Sequence, residues 1–207
     1  MARMEYSLYD GRGRRKYLVA SERNAFLQAA IRAGGEMATF CAVLTFSGAR
    51  ISEALALTPE RIDEGNGTII FETLKRRKKG LYRAIPVPRN LLRRLDRVHQ
   101  YREARHDPVK AGARLWTWCR STGWRHVKLL MKSVGIPDYL ATPKSLRHSF
   151  GTEGVGKLVP LTLVKELLGH ADIRSTEIYT MVVGREKRVL TQRTWPKNAE
   201  QMLRISG

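Results

Sequence analysis

Residues 36–47, EMATFCAVLTFS, are apolar on nearly every side and rich in alanine. A helix with no polar face has nothing to offer solvent, so it must lie in the middle of a domain with other elements packed around it. Its apolar run, residues 37–46, is far short of the roughly 18 residues a membrane span needs. A chain of 207 residues built around such a helix is one large domain, or one domain with tails. The N-terminus is basic but no apolar stretch follows it, which argues against a secretory signal. Cys41 lies inside the apolar run and reads as a buried thiol, and with Cys119 it forms neither a disulfide framework nor a metal cluster. A cytoplasmic protein is the economical expectation.

Around this core the chain carries 38 Lys+Arg against 19 Asp+Glu, a formal charge of +19. Such an excess attracts polyanions. Its distribution sharpens the point: Lys75, Arg76, Arg77, Lys78 and Lys79 are contiguous, and Arg83, Arg89, Arg93, Arg94 and Arg97 follow closely. Like charges at that density repel unless a phosphate backbone or an acidic partner lies opposite, and nucleic acid is favoured.

Residues 1–20 are polar and rich in Gly and Arg, which suggests a basic arm ordered only against DNA. Ser21 can cap a helix whose Phe26, Leu27, Ala30 and Ile31 share one face, closed by Gly34 and Gly35. A short helix is expected over 51–56. Ile62 and Ile69–Phe71 suggest strand, broken by a turn at EGNG, and residues 81–87 a second strand. The basic run 75–80 would then form the hairpin tip. Asn90 can cap a helix over 91–105 with a stripe of Leu91, Leu92, Leu95 and Val98. A linker over 106–123 leads to a helix over 124–134, and Thr142 with Pro143 starts another. Residues 161–168 are helical to Gly169, a short helix from Ser175 carries Tyr179, and the basic tail has a helical pattern over 199–205. The expected fold class is mostly α with a small antiparallel β-sheet: one domain over 21–184, an arm over 1–20 and a tail over 185–207.

The five histidines and two cysteines match no zinc spacing, there is no G-x-x-x-x-G-K-S/T, and carboxylates are sparse near the basic segments. A motor driven by nucleotide and a two-metal nuclease are both poor fits, and no cofactor is expected. Phosphate chemistry without metals needs cations to neutralise the transition state and a side chain as nucleophile.

Gly48-Ala49-Arg50-Ile51-Ser52-Glu53, Leu146-Arg147-His148-Ser149-Phe150 and Leu167-Leu168-Gly169-His170, with Tyr179 nine residues on, resemble the catalytic domain of the tyrosine recombinases, the phage integrase family. The resemblance runs from about residue 21 to 184. It implies that Arg50 and Arg147 hold the non-bridging oxygens of the scissile phosphate through planar forks that Lys cannot reproduce. It casts His170 as the histidine near the leaving oxygen, Glu53 as an acidic support and Tyr179 as the nucleophile. The bland alternatives are an Arg50–Glu53 ion pair, a helix-capping His170 and a core-packed Tyr179. A free phenol has a pKa of about 10, so surrounding cations are expected to favour the phenolate. The family's hairpin lysine protonates the leaving 5′ oxygen. Lys75 is preferred because it sits where the first strand ends, whereas counting back from Pro86 would give Lys78. Arg76, Arg77, Lys78, Lys79 and Arg83 are expected to contact the DNA backbone.

Two positions depart from the pattern. Where relatives usually have His-x-x-Arg, this chain has Lys144-Ser145-Leu146-Arg147; lysine can donate to the phosphate but is no equivalent proton-transfer group. The roughly 20 residues before the domain are too few for the helical core-binding domain of typical members. Either the sequence is part of a longer chain, or it resembles the short members, whose specificity would come from one domain, DNA shape or accessory DNA-bending proteins. The resemblance implies a 3′-phosphotyrosyl intermediate, double-stranded DNA with inverted-repeat sites, and a tetramer that passes through a Holliday junction. The tail, with Leu190, Trp195, Met202, Leu203 and Ile205, resembles the segment that docks on a neighbouring subunit. Two other classes stay open: a non-catalytic DNA-binding or regulatory protein derived from a recombinase, and a topoisomerase-like relaxing enzyme.

Overall fold

The computed structural model describes residues 7–73, 80–181 and 191. The all-apolar segment is helix α2 (Gly35–Ser47), and it is central as expected, packing against α1 (Ala20–Ala33), α3 (Ile51–Leu55), α4 (Arg89–His99) and α7 (Pro143–Gly156). Phe40, Cys41, Val43 and Leu44 are buried to 1% exposure or less, and each fully buried Phe or Leu contributes roughly 1.5–3 kcal/mol. Burial pushes the Cys41 thiol up to about 12, so it stays protonated and inert. Trp116, which lies in the expected linker, seals one end of this core. It packs edge-on against Phe40 at 5.2 Å and donates its indole N–H to the Glu36 carbonyl at 3.2 Å.

The sheet is antiparallel in the order β1 (Ile62–Asp63), β2 (Thr68–Glu72), β3 (Tyr82–Pro86). Its register pairs Ile62 with Ile69, Ile69 with Ile85 and Phe71 with Arg83. One face therefore carries Ile62, Ile69, Phe71 and Ile85 into the core, and Arg83 lies on that same inward face. After α5 (Tyr101–Ala104) and a run of turns come α6 (Arg120–Ser133), α7, α8 (Leu161–Leu168), α9 (Arg174–Glu177) and a 3₁₀ turn at Ile178–Met181. The mostly α architecture with one small antiparallel sheet is the expected class.

Several local expectations are corrected. Residues 7–19 are not an arm waiting for DNA, because Leu8, Tyr17 and Leu18 are buried and the Leu18 N–H donates to Ser149 Oγ at 2.7 Å. Leu8 and Tyr17 join Val164, Leu168, Ile178 and Tyr179 in a second, smaller apolar cluster. Helix α1 begins one residue before Ser21, and its reach-back cap comes from Glu22, whose Oε2 accepts the Val19 N–H at 3.0 Å. Asn90 lies inside α4, not at its cap, because Pro88 supplies the extended entry residue. The helix expected over 91–105 is split at Gln100, whose φ of 51° ends α4. Among the described residues no helix is long and apolar enough to cross a membrane. The basic tip Lys75–Lys79 and the apolar residues of the tail lie outside the described residues.

Candidate active site

The residues singled out by sequence come from four elements. Arg50 is the entry residue of α3, and its backbone N–H reaches Glu53 Oε2 at 2.9 Å while its Nη1 donates to Oε1 at 2.8 Å. The ion pair offered as the bland alternative therefore exists, and it fixes the direction of the guanidinium. Glu53 is itself buried at 2% exposure and carries a second arginine: Arg83 Nη2 donates to its Oε2 at 2.5 Å. Burial alone would raise the Glu53 carboxyl, but the Arg83 bond and charge, with those of Arg50, outweigh it and hold the group below its ordinary value.

Arg147 is placed by α7, whose start is as expected: Thr142 Oγ1 accepts the Ser145 N–H at 3.2 Å and Pro143 occupies the first turn. It is 8% exposed, and its Nη1 and Nη2 donate to the carbonyls of Gly48 and Leu168. Among the described residues no carboxylate ion-pairs with it. Burial, then the charge of Arg50, presses its pKa to about 9, which still leaves it charged at neutral pH. A buried cation satisfied only by carbonyl dipoles is a strong place for an anion.

His170 follows the end of α8, where Gly169 turns back and the His170 N–H closes on the Lys165 carbonyl at 3.1 Å. The capping alternative thus describes its backbone, while its ring faces elsewhere. Nδ1 lies 2.9 Å from Thr176 Oγ1, and the imidazole stacks on Tyr179 with centroids 6.2 Å apart. Tyr179 lies on the 3₁₀ turn, 1% exposed, with its ring against α7. Gly151 permits this approach: a Cβ there would sit 2.5 Å from the tyrosine ring.

The expected electrostatics of Tyr179 need correcting. Burial pushes its phenol up to about 12, and the nearby charges of Arg147 and Arg50 only partly oppose that. His170 adds no positive charge at neutral pH. Burial first, then the arginines, lowers His170 to about 3.

The same helix turn that carries Arg147 brings in His148, which sequence reasoning quoted within its motif but gave no role. Its Nδ1 lies 3.4 Å from the Tyr179 hydroxyl, and burial followed by the charges of Lys144, Arg147 and Lys16 lowers it to about 3. The signal was available: on a helix, position 148 shares a face with position 144 and follows Arg147 directly.

These groups open on one cleft of about 660 Å³. Lys16, Arg50, Arg120, Lys144 and Arg147 line it, together with His148, His170 and Tyr179, and among the described residues no carboxylate does. Lys144 is exposed at its rim. Lys16 and Arg120 were not anticipated. Arg83, expected on the DNA backbone, is not at the surface: at 7% exposure it is turned inward on β3, and Glu53 offsets its charge. Lys75, Arg76, Arg77, Lys78 and Lys79 lie outside the described residues. Among those described, no group of three or more His, Cys, Asp or Glu is placed to hold a metal ion.

Residues 16–185 match the Phage integrase family. The chain is 35% identical over 144 residues to the tyrosine recombinase XerC of Mesorhizobium japonicum, covering 68% of this chain and 46% of that protein. The chain spans about half the length of the curated relatives it matches. Among solved structures it resembles the crystal structure of XerA recombinase with a TM-score of 0.72 at 24% identity, over 87% of this chain and 65% of that one. It also resembles XerH site-specific recombinase in a post-cleavage complex with a palindromic difH substrate, with a TM-score of 0.70 at 25% identity over 86% and 52% of the two chains.

Proposed function

Because the chain belongs to the phage integrase family, we propose that it is a site-specific DNA recombinase that cuts and rejoins strands through Tyr179. The observation that carries this reading is the convergence of Arg50, Arg147, His170 and Tyr179 on one cationic cleft that no carboxylate lines among the described residues. The scissile phosphate enters with its non-bridging oxygens toward the two arginines. A guanidinium has five N–H donors; Arg147 uses donors on the Gly48 and Leu168 carbonyls and Arg50 on Glu53, so both retain others for the phosphate. Donors fixed before the substrate arrives stabilise the charge that grows on the pentacoordinate phosphorus.

Tyr179 Oη attacks phosphorus, the P–O5′ bond breaks, and the 3′ phosphate becomes linked to the tyrosine. With its phenol protonated at neutral pH, Tyr179 gives up its proton as the new bond forms, and His148 Nδ1 at 3.4 Å is placed to receive it. The leaving oxygen takes a proton from the hairpin lysine, Lys75, with Lys78 as the alternative. A 5′-hydroxyl from a partner duplex then reverses the steps. The phosphotyrosyl bond conserves the energy of the phosphodiester, so the exchange is near thermoneutral. Lys144 donates to the scissile phosphate from the cleft rim, and Lys16 and Arg120 extend the cationic surface toward the flanking phosphates. Paired exchange implies two duplexes and an oligomer, which we take to be a tetramer on inverted-repeat DNA.

The test is covalent trapping on a nicked duplex, in which the fragment beyond the cut diffuses away. The parent chain should form an adduct whose peptide maps to Tyr179, and Tyr179→Phe should form none while binding DNA normally. Binding without any adduct would leave a DNA-binding role without chemistry. Relaxation of supercoiled DNA without strand exchange would mark the topoisomerase-like alternative.

A further inference from the structure

Arg83 is a buried arginine that the chemistry above does not use, and its side chain touches three separate elements. Nη2 donates to Glu53 Oε2 at 2.5 Å, Nη1 to Thr73 Oγ1 at 3.1 Å, and Nε to the Leu167 carbonyl at 2.9 Å. The first bond fixes the carboxylate that in turn grips Arg50. The last holds the C-terminal turn of α8, from which His170 projects. The guanidinium also lies over the Phe71 ring at 5.6 Å, across the strand pair that joins the two residues.

The neighbouring sequence is shaped to admit it. Gly169 has a positive φ of 62°, and a Cβ there would also meet Arg83 Nη1 at 3.0 Å. A side chain at 169 would therefore push against the guanidinium that ties α8 to the sheet. Glu53 is the only carboxylate bonded to Arg83 among the described residues, and both groups are almost fully buried. Breaking one half of such a pair leaves an uncompensated buried charge.

We infer that Arg83 is a positioning residue for the recombinase reaction, setting Arg50 through Glu53 and His170 through the Leu167 carbonyl, without touching DNA. This rests on the recombinase reading. Lysine cannot replace it, since one ammonium on a flexible stem cannot hold three partners in a plane. Misplacement by about 1 Å at a reacting centre costs on the order of 100-fold in rate.

The experiment is single-turnover cleavage of the nicked duplex at saturating protein, with affinity measured across a salt series. Arg83→Met should slow cleavage about 100-fold and leave the affinity and its salt slope at parental values. A slope reduced by about one would make Arg83 a phosphate contact and overturn the inference. Glu53→Gln combined with Arg83→Met should lose less than the product of the two single losses, because the variants share the Arg83–Glu53 bond that sets Arg50; fully multiplying losses would overturn it.

Should Arg83→Met fail to fold, Arg83→Lys serves, with NMR of the His170 ring and the Arg50 Nε–H. Both signals should move in Arg83→Lys, and parental positions would overturn the inference. The readout holds whether or not the parent forms an adduct. A parent without adduct defeats the recombinase reading, whereas an active parent with unmoved signals and an unslowed Arg83 variant defeats this one.

Discussion

The His148 ring meets the Tyr179 ring edge-on, with its Nδ1 3.4 Å from the tyrosine hydroxyl, while its other nitrogen, Nε2, is buried with no hydrogen-bond partner among the described residues. An imidazole held this way spends its hydrogen-bonding on the phenol alone. It is neutral because burial and three neighbouring cations lower it to about 3. A bound phosphate would oppose those cations and raise its basicity, against the larger effect of burial, at the moment the phenol must lose its proton. His148→Phe keeps a ring against Tyr179 and removes the nitrogen. We expect cleavage to slow by about 100-fold, the low end for a positioned proton acceptor, with DNA affinity unchanged. Single-turnover rates at saturating protein check this, and a parental rate would leave His148 as packing.

Acid should unfold the domain through its histidines. Burial above all lowers His99 to about 4 and His148 and His170 to about 3, against about 6.5 in the unfolded chain. Between those values the unfolded state binds more protons than the folded one, so stability is full above about pH 6.5 and is lost as pH falls toward 3. Melting temperature should drop across that window. The drop should be shallower in His99→Gln, which removes one of the three sites.

Gly151 is the position where packing and chemistry are hardest to separate. An alanine methyl there would lie 2.5 Å from the Tyr179 ring, closer than atoms tolerate, and overpacking of this kind typically costs about 1–3 kcal/mol. Gly151→Ala should lower the melting temperature and suppress adduct formation together, because the ring must leave its seat on α7. Calorimetry and trapping on the same sample would show whether the two losses travel together.

What was legible in the sequence follows from which forces are local. The all-apolar α2, the Thr142-Pro143 start of α7 and the Gly169 stop of α8 are written in periodicity and caps, and all three are where the sequence puts them. The residues of the motifs could be named in order, and the fold brings Arg50, Arg147, His170 and Tyr179 to one cleft. Facing was harder to see. Arg83 was counted with the surface charges, yet β3 alternates exposed and buried from Tyr82 to Pro86, which puts Arg83 on the inward side with Ile85. Period-two reading would have flagged it. Leu8, Tyr17 and Leu18 have no period at all, so only tertiary packing, of Leu8 and Tyr17 around Val164 and Leu168 and of Leu18 in the main core, reveals that residues 7–19 belong to the packed body. The pKa of Tyr179 was misjudged for a related reason: sequence counts charges, but desolvation depends on depth.

Lys144 stands three residues before Arg147, and two readings of it can be separated by experiment. It is exposed at the cleft rim, one turn before His148 on α7, and its charge is among those that lower that histidine. If it only steadies a flanking phosphate, its loss weakens binding and spares chemistry. If it donates to the scissile phosphate, it belongs to the same preorganised set of donors as Arg50 and Arg147, and removing one such donor commonly costs about 3 kcal/mol, or about 100-fold. We expect Lys144→Ala to slow the cleavage step at least about tenfold in single turnover at saturating protein, where binding losses are masked. Lys144→His should recover much of that rate, because an imidazole N–H can reach the same oxygen. The ammonium also acts on His148, so Lys144→Ala should shift the His148 titration upward when followed by NMR. A parental cleavage rate in Lys144→Ala would remove this lysine from the chemistry and leave it as a phosphate contact on the rim.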